Sequence, residues 1–327
     1  MLRRVKRLTR PPCGEKLEAT PEESKMRKLS VVVSAVAVLA VVSVAAFTLG
    51  GRRAAKQEQS QQNAAAESDA LNKSTAAKTN ARTPVVVELF TSEGCSSCPP
   101  ADALLARLDE TQPVGGAEVI PLAMHVDYWN DLGWADPFSS AQFSERQGEY
   151  AAAFGHDGVY TPQMIVDGVK EFAGGNERAA LEALNNAARE PKPEVKLARE
   201  ATRPGDVSQP GDAARSVESA RINVEIDKLP KRTEGDAVYV LLALTESGLS
   251  SDVARGENSG RRLTHVGVVR VLKTLGGLTD AGGGAFRTEA VVPLEKSWRR
   301  ENLRAVVFAQ ERGTRRVLAA ASLKLFG

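Results

Sequence analysis

A Cys-Ser-Ser-Cys motif between an apolar segment and a proline-initiated segment constrains the fold more than any other feature. Residues 85–90 form a short apolar run, interrupted by one glutamate, of the kind typical of a buried strand. Cys95 and Cys98 follow, and Pro99-Pro100 then precede leucines at helical spacing. Proline is tolerated in the first turn of a helix, where backbone N–H groups have no partner within the helix. The sequence therefore predicts a strand, a CxxC loop and a helix in direct succession.

This placement predicts a reactive cysteine pair. A thiolate close to a helix N-terminus is stabilised by the helix dipole and by free N–H groups, so its pKa falls. We expect Cys95, the more exposed sulfur, to be the nucleophile and Cys98, one turn on, to resolve a mixed disulfide. Because the chain has no second CxxC, a structural zinc site is not expected. The alternative is a static structural disulfide, which an exported protein can keep.

Further strands and helices are predicted after the motif. Residues 116–126 predict a second strand, and residues 139–142 resemble a capping box that opens a helix with aromatic side chains on one face. Asp167-Gly168 between short apolar runs predicts a hairpin. A last helix is predicted over residues 176–188, with Asn176 as its N-cap.

This order of elements resembles the thioredoxin fold, in which a cis-proline lies against the CxxC motif. Thr161-Pro162 stands at the matching place. Three segments, residues 87–102, 125–138 and 158–168, more closely resemble the exported thioredoxin-like proteins grouped as the domain of unknown function 1223 family. The resemblance implies an α/β thioredoxin-like domain over residues 84–190.

The same resemblance implies the catalytic residues. Pro162 would shape a groove whose backbone pairs with a substrate peptide, beside the catalytic Cys95 and Cys98. The sequence departs from ordinary thioredoxins at Ser96-Ser97, which replaces Gly-Pro, and it has no Trp before Cys95. Because the dipeptide between the cysteines tunes the stability of the thiolate, the direction of electron flow stays open.

Polar residues on the first two strands are candidates for supporting the cysteines. Glu88 is either the proton acceptor for Cys98 or an ordinary edge or surface glutamate. His125 and Asp127 end the second strand, at the edge where a parallel sheet forms its sites. The sequence therefore places three polar candidates close to the motif.

Aromatic residues are concentrated in the same region. Half of the chain's Phe, Trp and Tyr residues lie between Tyr128 and Tyr160. Trp129 is on the loop after the second strand and Thr161 precedes the proline, so both are candidates for framing the CxxC. The simplest role for most of these rings is packing, in the core or in a lid.

No metal or other cofactor is expected, with one alternative. Cys95, Cys98 and His125 together are a ligand set for a soft ion such as Cu(I). The competing interpretation is that His125 hydrogen-bonds the loop after the second strand, here called the aromatic loop because it carries Trp129, Trp134 and Phe138. Metal sites usually need more ligands than one nearby histidine adds.

The C-terminal part of the chain has a different pattern. Residues 191–219 contain four prolines and few apolar residues, which predicts a linker, with a short edge strand at residues 194–198 as an alternative. Over residues 220–327, apolar residues alternate in short runs separated by glycine-rich turns. This alternation predicts a β-sandwich-like C-terminal domain.

One loop of this C-terminal domain has two interpretations. Residues 256–265 either lean over the CxxC, with His265 or Arg261 near a substrate, or form a turn-rich surface loop. The loop resembles the matching segment of the same family. Its placement therefore decides whether the C-terminal domain contributes to the site.

The N-terminal segment is predicted to direct export. Residues 29–49 contain no charged residue and are long enough, as a helix, to span the hydrocarbon core of a bilayer. The basic arm at residues 1–28 would stay in the cytoplasm, so the folded part is expected outside it, periplasmic or secreted. The segment is either an uncleaved signal anchor that ties the protein to the membrane or a cleaved signal peptide. Residues 50–83 predict a flexible tether.

Charge argues against a nucleic-acid partner. The chain has a net charge of +2, but residues 1–28 carry +5 and residues 50–83 carry +3, which leaves −6 for residues 84–327.

Taken together, the CxxC motif and the export segment predict an extracytoplasmic thiol–disulfide oxidoreductase that exchanges with a protein or small-molecule thiol or disulfide. The alternative is a non-catalytic envelope binding protein, in which the CxxC is a copper clasp or a structural disulfide.

Overall fold

The computed structural model describes residues 82–200, 218–229, 232–278 and 285–326, and an eight-stranded mixed sheet lies at their centre. These residues form thirteen strands and three α-helices. The helices are α1 (Pro99–Thr111), α2 (Ala141–Phe154) and α3 (Glu177–Ala187). The strands are β1 (Thr83–Thr91), β2 (Ala117–His125), β3 (Gln163–Val166), β4 (Lys170–Ala173), β5 (Val195–Glu200), β6 (Ser219–Ile226), β7 (Val238–Glu246), β8 (Leu249–Asp252), β9 (Arg262–His265), β10 (Val268–Leu278), β11 (Phe286–Pro293), β12 (Leu303–Glu311) and β13 (Val317–Lys324).

The central sheet has the strand order β13-β12-β7-β10-β2-β1-β3-β4. β1 and β2 are parallel, and β3 and β4 extend the sheet on the β1 side with antiparallel pairing. β10, β7, β12 and β13 extend it on the β2 side, and the strands within this group are antiparallel. Two smaller sheets, β11-β6-β5 and β8-β9, complete the described architecture.

Local sequence signals account for the first helices and the hairpin. The predicted order of strand, CxxC and helix is confirmed, with Pro99-Pro100 in the first turn of α1. Ser140 caps α2 by accepting the N–H of Gln142, and Asn176 caps α3 as predicted. The β3–β4 hairpin is also confirmed, and Asp167-Gly168 adopts positive φ angles in its turn.

The alternation of side chains along each strand builds a core on both faces of the sheet. Val87 and Leu89 of β1 pack towards α1 and α3, whereas Val86 and Phe90 pack towards α2. Farther along, β7 and β12 pack against the three-stranded sheet β11-β6-β5 on the face that α1 and α3 cover. The α2 layer covers the other face, where it meets side chains from β1, β2, β7 and β12.

The C-terminal strands are organised differently from the separate sandwich that their alternation predicts. β7, β10, β12 and β13 continue the sheet of residues 84–190, and the described residues belong to one compact unit. Three strands do stack on this sheet, and the first of them, β5, confirms the short edge strand predicted at residues 194–198 as the alternative to a linker there. Alternation predicts that a strand has a buried face, but it does not say which neighbouring strand accepts its backbone hydrogen bonds.

The predicted export segments fall outside the described residues. These are the arm at residues 1–28, the uncharged segment at residues 29–49 and the tether up to residue 81. Among the helices that the structure describes, none combines the length and the apolar character needed to cross a membrane.

A glycine joins the two parts of the central sheet. Gly267 accepts the N–H of Ala123 in β2 at 2.8 Å, next to the parallel pairing of Val268 with Ala123. Its φ is +61°, and a Cβ there would lie 2.7 Å from the carbonyl oxygen of Pro121. The junction therefore requires glycine for both conformation and space.

We expect Gly267→Ala to lower the free energy of unfolding by about 2 kcal/mol or more, since left-handed strain and a backbone clash add together. Urea unfolding followed by circular dichroism measures the loss. The matched control is Gly155→Ala, because Gly155 also has a positive φ of +73° but has no atom within 4 Å of an added Cβ. That variant should lose only about 1 kcal/mol. Equal losses in the two variants would contradict the proposed close approach of β10 to β2.

Candidate functional site

Cys95 and Cys98 form a disulfide at the start of α1. Cys98 occupies the N-cap position, and its N–H donates to the carbonyl of Cys95 at 3.2 Å. Both cysteines have 0% relative exposure, whereas Ser96 and Ser97 between them are exposed. The expectation that Cys95 is the more exposed sulfur is therefore not met in this oxidised form, and Cys98 lies closest to the helix terminus.

The loop between β8 and β9, residues 253–261, contacts the backbone of the motif. The side-chain amide of buried Asn258 donates to the carbonyls of Glu93 and Cys95, both at 2.9 Å. The carboxylate of Glu257 accepts the N–H of Ser96 at 2.9 Å, and the hydrogen bonds from Ser96 lower the pKa of this carboxyl. The structure therefore agrees with the interpretation in which this loop lies against the CxxC motif.

Arg261 and His265, the two residues of this region predicted to lie near a substrate, have different surroundings. Arg261 donates to the side-chain oxygen of Asn258 at 3.0 Å and so orients the amide that binds the motif. His265 is buried beneath the loop and pairs with Glu93. Arg261 thus acts on the motif through Asn258, and His265 belongs to a buried cluster.

Trp129 connects the motif to the proline segment. Its ring N–H donates to the hydroxyl of Thr161 at 2.8 Å. Its Cβ lies so close to Gly94 that a Cβ on this glycine would approach it to 3.2 Å. The Thr161–Pro162 peptide bond is cis, as the resemblance implies, and the carbonyl of Pro162 accepts the N–H of Gly174 at 2.8 Å. The structure therefore links the aromatic loop both to the residue before Cys95 and to the residue before Pro162.

Two buried histidines face each other behind the motif. His125 Nδ1 lies 2.7 Å from Asp136 Oδ2, and His265 Nε2 lies 3.0 Å from Glu93 Oε1. The two rings are 4.8 Å apart in an edge-to-face arrangement, and Phe138 packs edge-on against both. The remaining ring nitrogens, His125 Nε2 and His265 Nδ1, are buried and have no hydrogen-bond partner among the residues that the structure describes. Histidine side chains with one bound and one free nitrogen are well suited to exchange a proton.

The carboxyl of Asp102 completes this cluster from α1. It accepts a hydrogen bond from the hydroxyl of Thr91 at 2.9 Å. Burial raises the pKa of Asp102 above its usual range, although the charges of His265 and His125 oppose this shift. We call Glu93, Asp102, His125, Asp136 and His265 the buried acid–histidine cluster.

Asp136 determines the proton affinity of His125. Burial alone would lower the pKa of His125, but the charge and hydrogen bond of Asp136, with Asp102 and Glu93 nearby, raise it overall. Burial would raise the pKa of Asp136, and the opposing effects of His125 and two backbone N–H groups hold it below its usual range. The pair therefore favours a protonated imidazole beside an ionised carboxylate.

Glu88 and Asp127 lie away from the cysteines. Glu88 is on the α2 face of β1, where its carboxylate is bound by Arg146 at 2.6 Å and by the hydroxyl of Tyr150. It is thus neither a partner of Cys98 nor a surface glutamate. Asp127 accepts the hydroxyl of Ser144 at 2.5 Å and so binds the first turn of α2.

His125 hydrogen-bonds the aromatic loop through the carboxylate of Asp136. This agrees with the second of the two interpretations of His125, in which it binds the loop and not a metal. The alternative metal set was Cys95, Cys98 and His125. Within residues 82–200, 218–229, 232–278 and 285–326, no group of three His, Cys, Asp or Glu side chains is placed to hold a metal ion.

Sequence reasoning missed Asp102, Asp136, Glu93 and Asn258. Asp102 had a usable signal, because it lies four residues after Cys98 and so shares its face of the predicted helix. Asp136 and Asn258 lie in segments that resemble the family, but nothing in the sequence identifies their partners, since each acts on a residue that is distant in the sequence.

Comparisons with known proteins agree over most of the described chain. The model of the family described as "Protein of unknown function (DUF1223)" matches residues 86–310. A crystal structure of an Agrobacterium tumefaciens protein from a structural genomics consortium is similar, with 26% sequence identity and a TM-score of 0.52, over 76% of this chain and 96% of that chain. A Bacteroides uniformis β-glucuronidase 2 has 14% identity and a TM-score of 0.20, over 39% of this chain and 12% of that one, which is too weak to support an argument. No curated protein matches the chain.

We expect Asn258→Ala to speed reduction of the Cys95–Cys98 disulfide by dithiothreitol by about tenfold, because two backbone carbonyls lose their donor and the loop opens more readily. Stopped-flow or quenched thiol assays measure the rate. Ser259→Ala is the matched control, since the Ser259 hydroxyl donates within the loop, to the carbonyl of Ala254. Equal rates for all three proteins would show that the loop does not limit access.

The free energy of unfolding of the oxidised protein should fall as the pH rises above about 6.5, the usual pKa of an unfolded histidine. The folded-state pKa of His125 is raised, so its stabilisation is complete below pH 6.5 and is lost as the pH passes the folded-state pKa. Urea titrations across this range measure the trend. His125→Gln should flatten it, and a wild-type stability that rises with pH would contradict the assignment.

Proposed function

This chain belongs to the DUF1223 family, and we propose that it is an extracytoplasmic thiol–disulfide oxidoreductase whose redox pair is Cys95 and Cys98. The observation that carries the proposal is the disulfide between these residues at the N-terminus of α1, directly after a buried parallel strand. A vicinal pair at such a position can open and close without moving the backbone far. The order β1, CxxC, α1, β2, α2, β3, β4, α3 supports the further proposal that this part of the chain is thioredoxin-like.

The chemistry follows from the helix terminus. In the reduced protein, the thiolate of Cys95 attacks a disulfide of the substrate and releases one substrate thiolate. Cys98 then attacks the sulfur of Cys95, which re-forms the ring and releases the second substrate thiol. In the other direction, a substrate thiolate attacks the Cys95–Cys98 disulfide. The free N–H groups and dipole of α1 favour the thiolate form of a cysteine placed here.

The residues around the motif suggest a protein partner. Tyr128, Leu132 and Tyr160 are large apolar side chains exposed by 39% or more. They lie on the two segments that Trp129 and Thr161 join. Exposed apolar side chains beside a reactive group are typical of a surface that binds another molecule. Pro162 follows Thr161 and directly precedes β3. There it would shape the groove that receives the substrate. A small-molecule thiol or disulfide remains the other class of partner.

Localisation outside the cytoplasm is part of the proposal. A disulfide persists in an oxidising compartment, and the uncharged segment at residues 29–49 is suited to export or anchoring. The net charge of −6 over residues 84–327 gives no support for a nucleic-acid partner.

One observation favours a second candidate function. Both cysteines are fully buried and Asn258 binds the carbonyl of Cys95, which suits a disulfide that is never opened. The protein would then be a non-catalytic envelope binding protein with a structural disulfide or, in the reduced form, a copper clasp. Reduction kinetics and trapping separate the two functions.

We expect a Cys98→Ser variant, expressed in its native envelope, to accumulate mixed disulfides through Cys95, because the resolving thiol is gone. Non-reducing electrophoresis and mass spectrometry identify the adducts. Cys95→Ser is the matched control and should give none. If Cys98→Ser forms no adduct and the reduced wild type binds copper stoichiometrically, the oxidoreductase proposal is wrong and the binding-protein alternative is favoured.

A further inference from the structure

The buried acid–histidine cluster has a spatial relation to Cys98 that the proposed reaction does not yet use. Cys98 has helical backbone angles, φ −77° and ψ −38°, although it is the N-cap of α1. The N–H of Asp102 donates to the carbonyl of Cys98 at 3.1 Å. Residues four apart on a helix have neighbouring side chains, with about 5–6 Å between their Cβ atoms. The carboxyl of Asp102 and the sulfur of Cys98 therefore share one face at the start of the helix.

We propose that Asp102 accepts the proton of the Cys98 thiol when Cys98 resolves the mixed disulfide, and that His125 and His265 are positioning residues of the same buried cluster. This role rests on the proposed oxidoreductase function. It follows from the placement of Asp102 on the Cys98 side of α1 and from the two buried imidazoles behind it.

A local acceptor is needed because Cys98 is fully buried. A buried thiol has no bulk water to take its proton, yet only the thiolate attacks a disulfide. Glu88, the acceptor suggested by the sequence, is on the opposite face of β1 and is bound by Arg146. Among the described carboxyls, Asp102 has the helical placement next to Cys98 and Glu88 does not.

The raised pKa of Asp102 suits this task. Proton transfer is most efficient when the pKa of the acceptor lies near the working pH. Burial raises the pKa of the Asp102 carboxyl above its usual value. The charges of His265 and His125 oppose this rise, because a positive charge nearby favours the ionised carboxylate. The hydroxyl of Thr91 fixes the position of the carboxyl.

The charged surroundings of the two imidazoles are well defined. The groups that face them come from the loop before the motif, from α1 and from the aromatic loop, and Arg270 of β10 lies over Phe138 while paired with Glu246. The facing groups are Glu93, Asp102, Trp134, Asp136 and Phe138. A titration seen at Cys98 must therefore be separated from titration of Asp136 and His125.

Ring closure starts from the mixed disulfide, in which Cys95 is bonded to the substrate sulfur and Cys98 is a thiol. Its proton moves to the Asp102 carboxylate, and the Cys98 thiolate attacks the sulfur of Cys95. The Cys95–Cys98 bond forms, the Cys95–substrate bond breaks, and the substrate sulfur leaves with the electron pair. That sulfur takes a proton from Asp102 or from solvent, so the chain is oxidised by two electrons and the substrate disulfide is reduced.

The test measures ring closure directly. The full chain carrying Cys13→Ser is reduced and mixed with 5,5′-dithiobis(2-nitrobenzoate), which forms a mixed disulfide on Cys95 and releases one chromophore. Closure by Cys98 releases a second chromophore, and its rate is followed as a function of pH. We expect Asp102→Asn to close about 100-fold more slowly than the wild type at pH 6, with a rate that rises with hydroxide concentration, because the local base is missing. Asp102→Glu should restore part of the rate at pH 6.

Glu88→Gln is the matched control, since it removes another buried carboxylate of the same sheet without touching the α1 face. It should keep the wild-type pH profile even if it lowers stability. His125→Gln should move the low-pH loss of rate to higher pH, because the carboxyl of Asp102 loses a favourable charge. An Asp102→Asn profile that parallels the wild type overturns the inference and leaves the oxidoreductase proposal standing. A wild type that releases no second chromophore overturns the proposed function itself.

A second measurement does not depend on a folded variant. Time-resolved infrared spectra of the wild type, recorded while the mixed disulfide closes, should show a protonated-carboxyl band that rises as Cys98 loses its proton. Absence of any such band during closure would overturn the proposal.

Discussion

The parallel contact between β2 and β10 determines how the site is assembled. Ala123 pairs with Val268, and Gly267 approaches β2 closely enough to exclude any side chain. His125 lies two residues after Ala123, and His265 lies three residues before Val268, so this single register brings the two imidazoles together. The β8–β9 loop leads into β9, and its Asn258 side chain hydrogen-bonds the backbone of the CxxC motif. At this contact the central sheet passes from the strands that flank the cysteines to the C-terminal strands.

The cluster behind the motif has an electrostatic cost that its pairing offsets. Three carboxyls and two imidazoles are buried together, and an unpaired buried charge is strongly destabilising. Each imidazole has its own carboxylate, Asp136 for His125 and Glu93 for His265, and Asp136 also accepts the N–H of Glu93. The backbone just before Cys95 is therefore hydrogen-bonded to the same carboxylate that pairs with His125.

Local parts of the fold and site were predictable from the sequence. The strand before the motif, the helix after it, the caps Ser140 and Asn176 and the Asp167-Gly168 turn depend on residues within a few positions of each other. The role of Glu88 was not predictable in the same way. Its side chain is out of phase with Val87 and Leu89, so it points to the α2 layer, and only the packing of that layer supplies Arg146 and Tyr150 as partners.

The sequence by itself determined that a cysteine pair stands at a strand-to-helix turn, because spacing, prolines and apolar periodicity are local properties of the chain. The tertiary structure alone decided that Asn258 binds the carbonyl of Cys95 and that His265 pairs with Glu93, across separations of 163 and 172 residues. It also decided that the C-terminal strands extend the first sheet instead of forming their own domain. The physical reason is that alternation along a strand specifies a buried face, whereas the neighbour that completes its hydrogen bonds is selected only when the whole sheet packs.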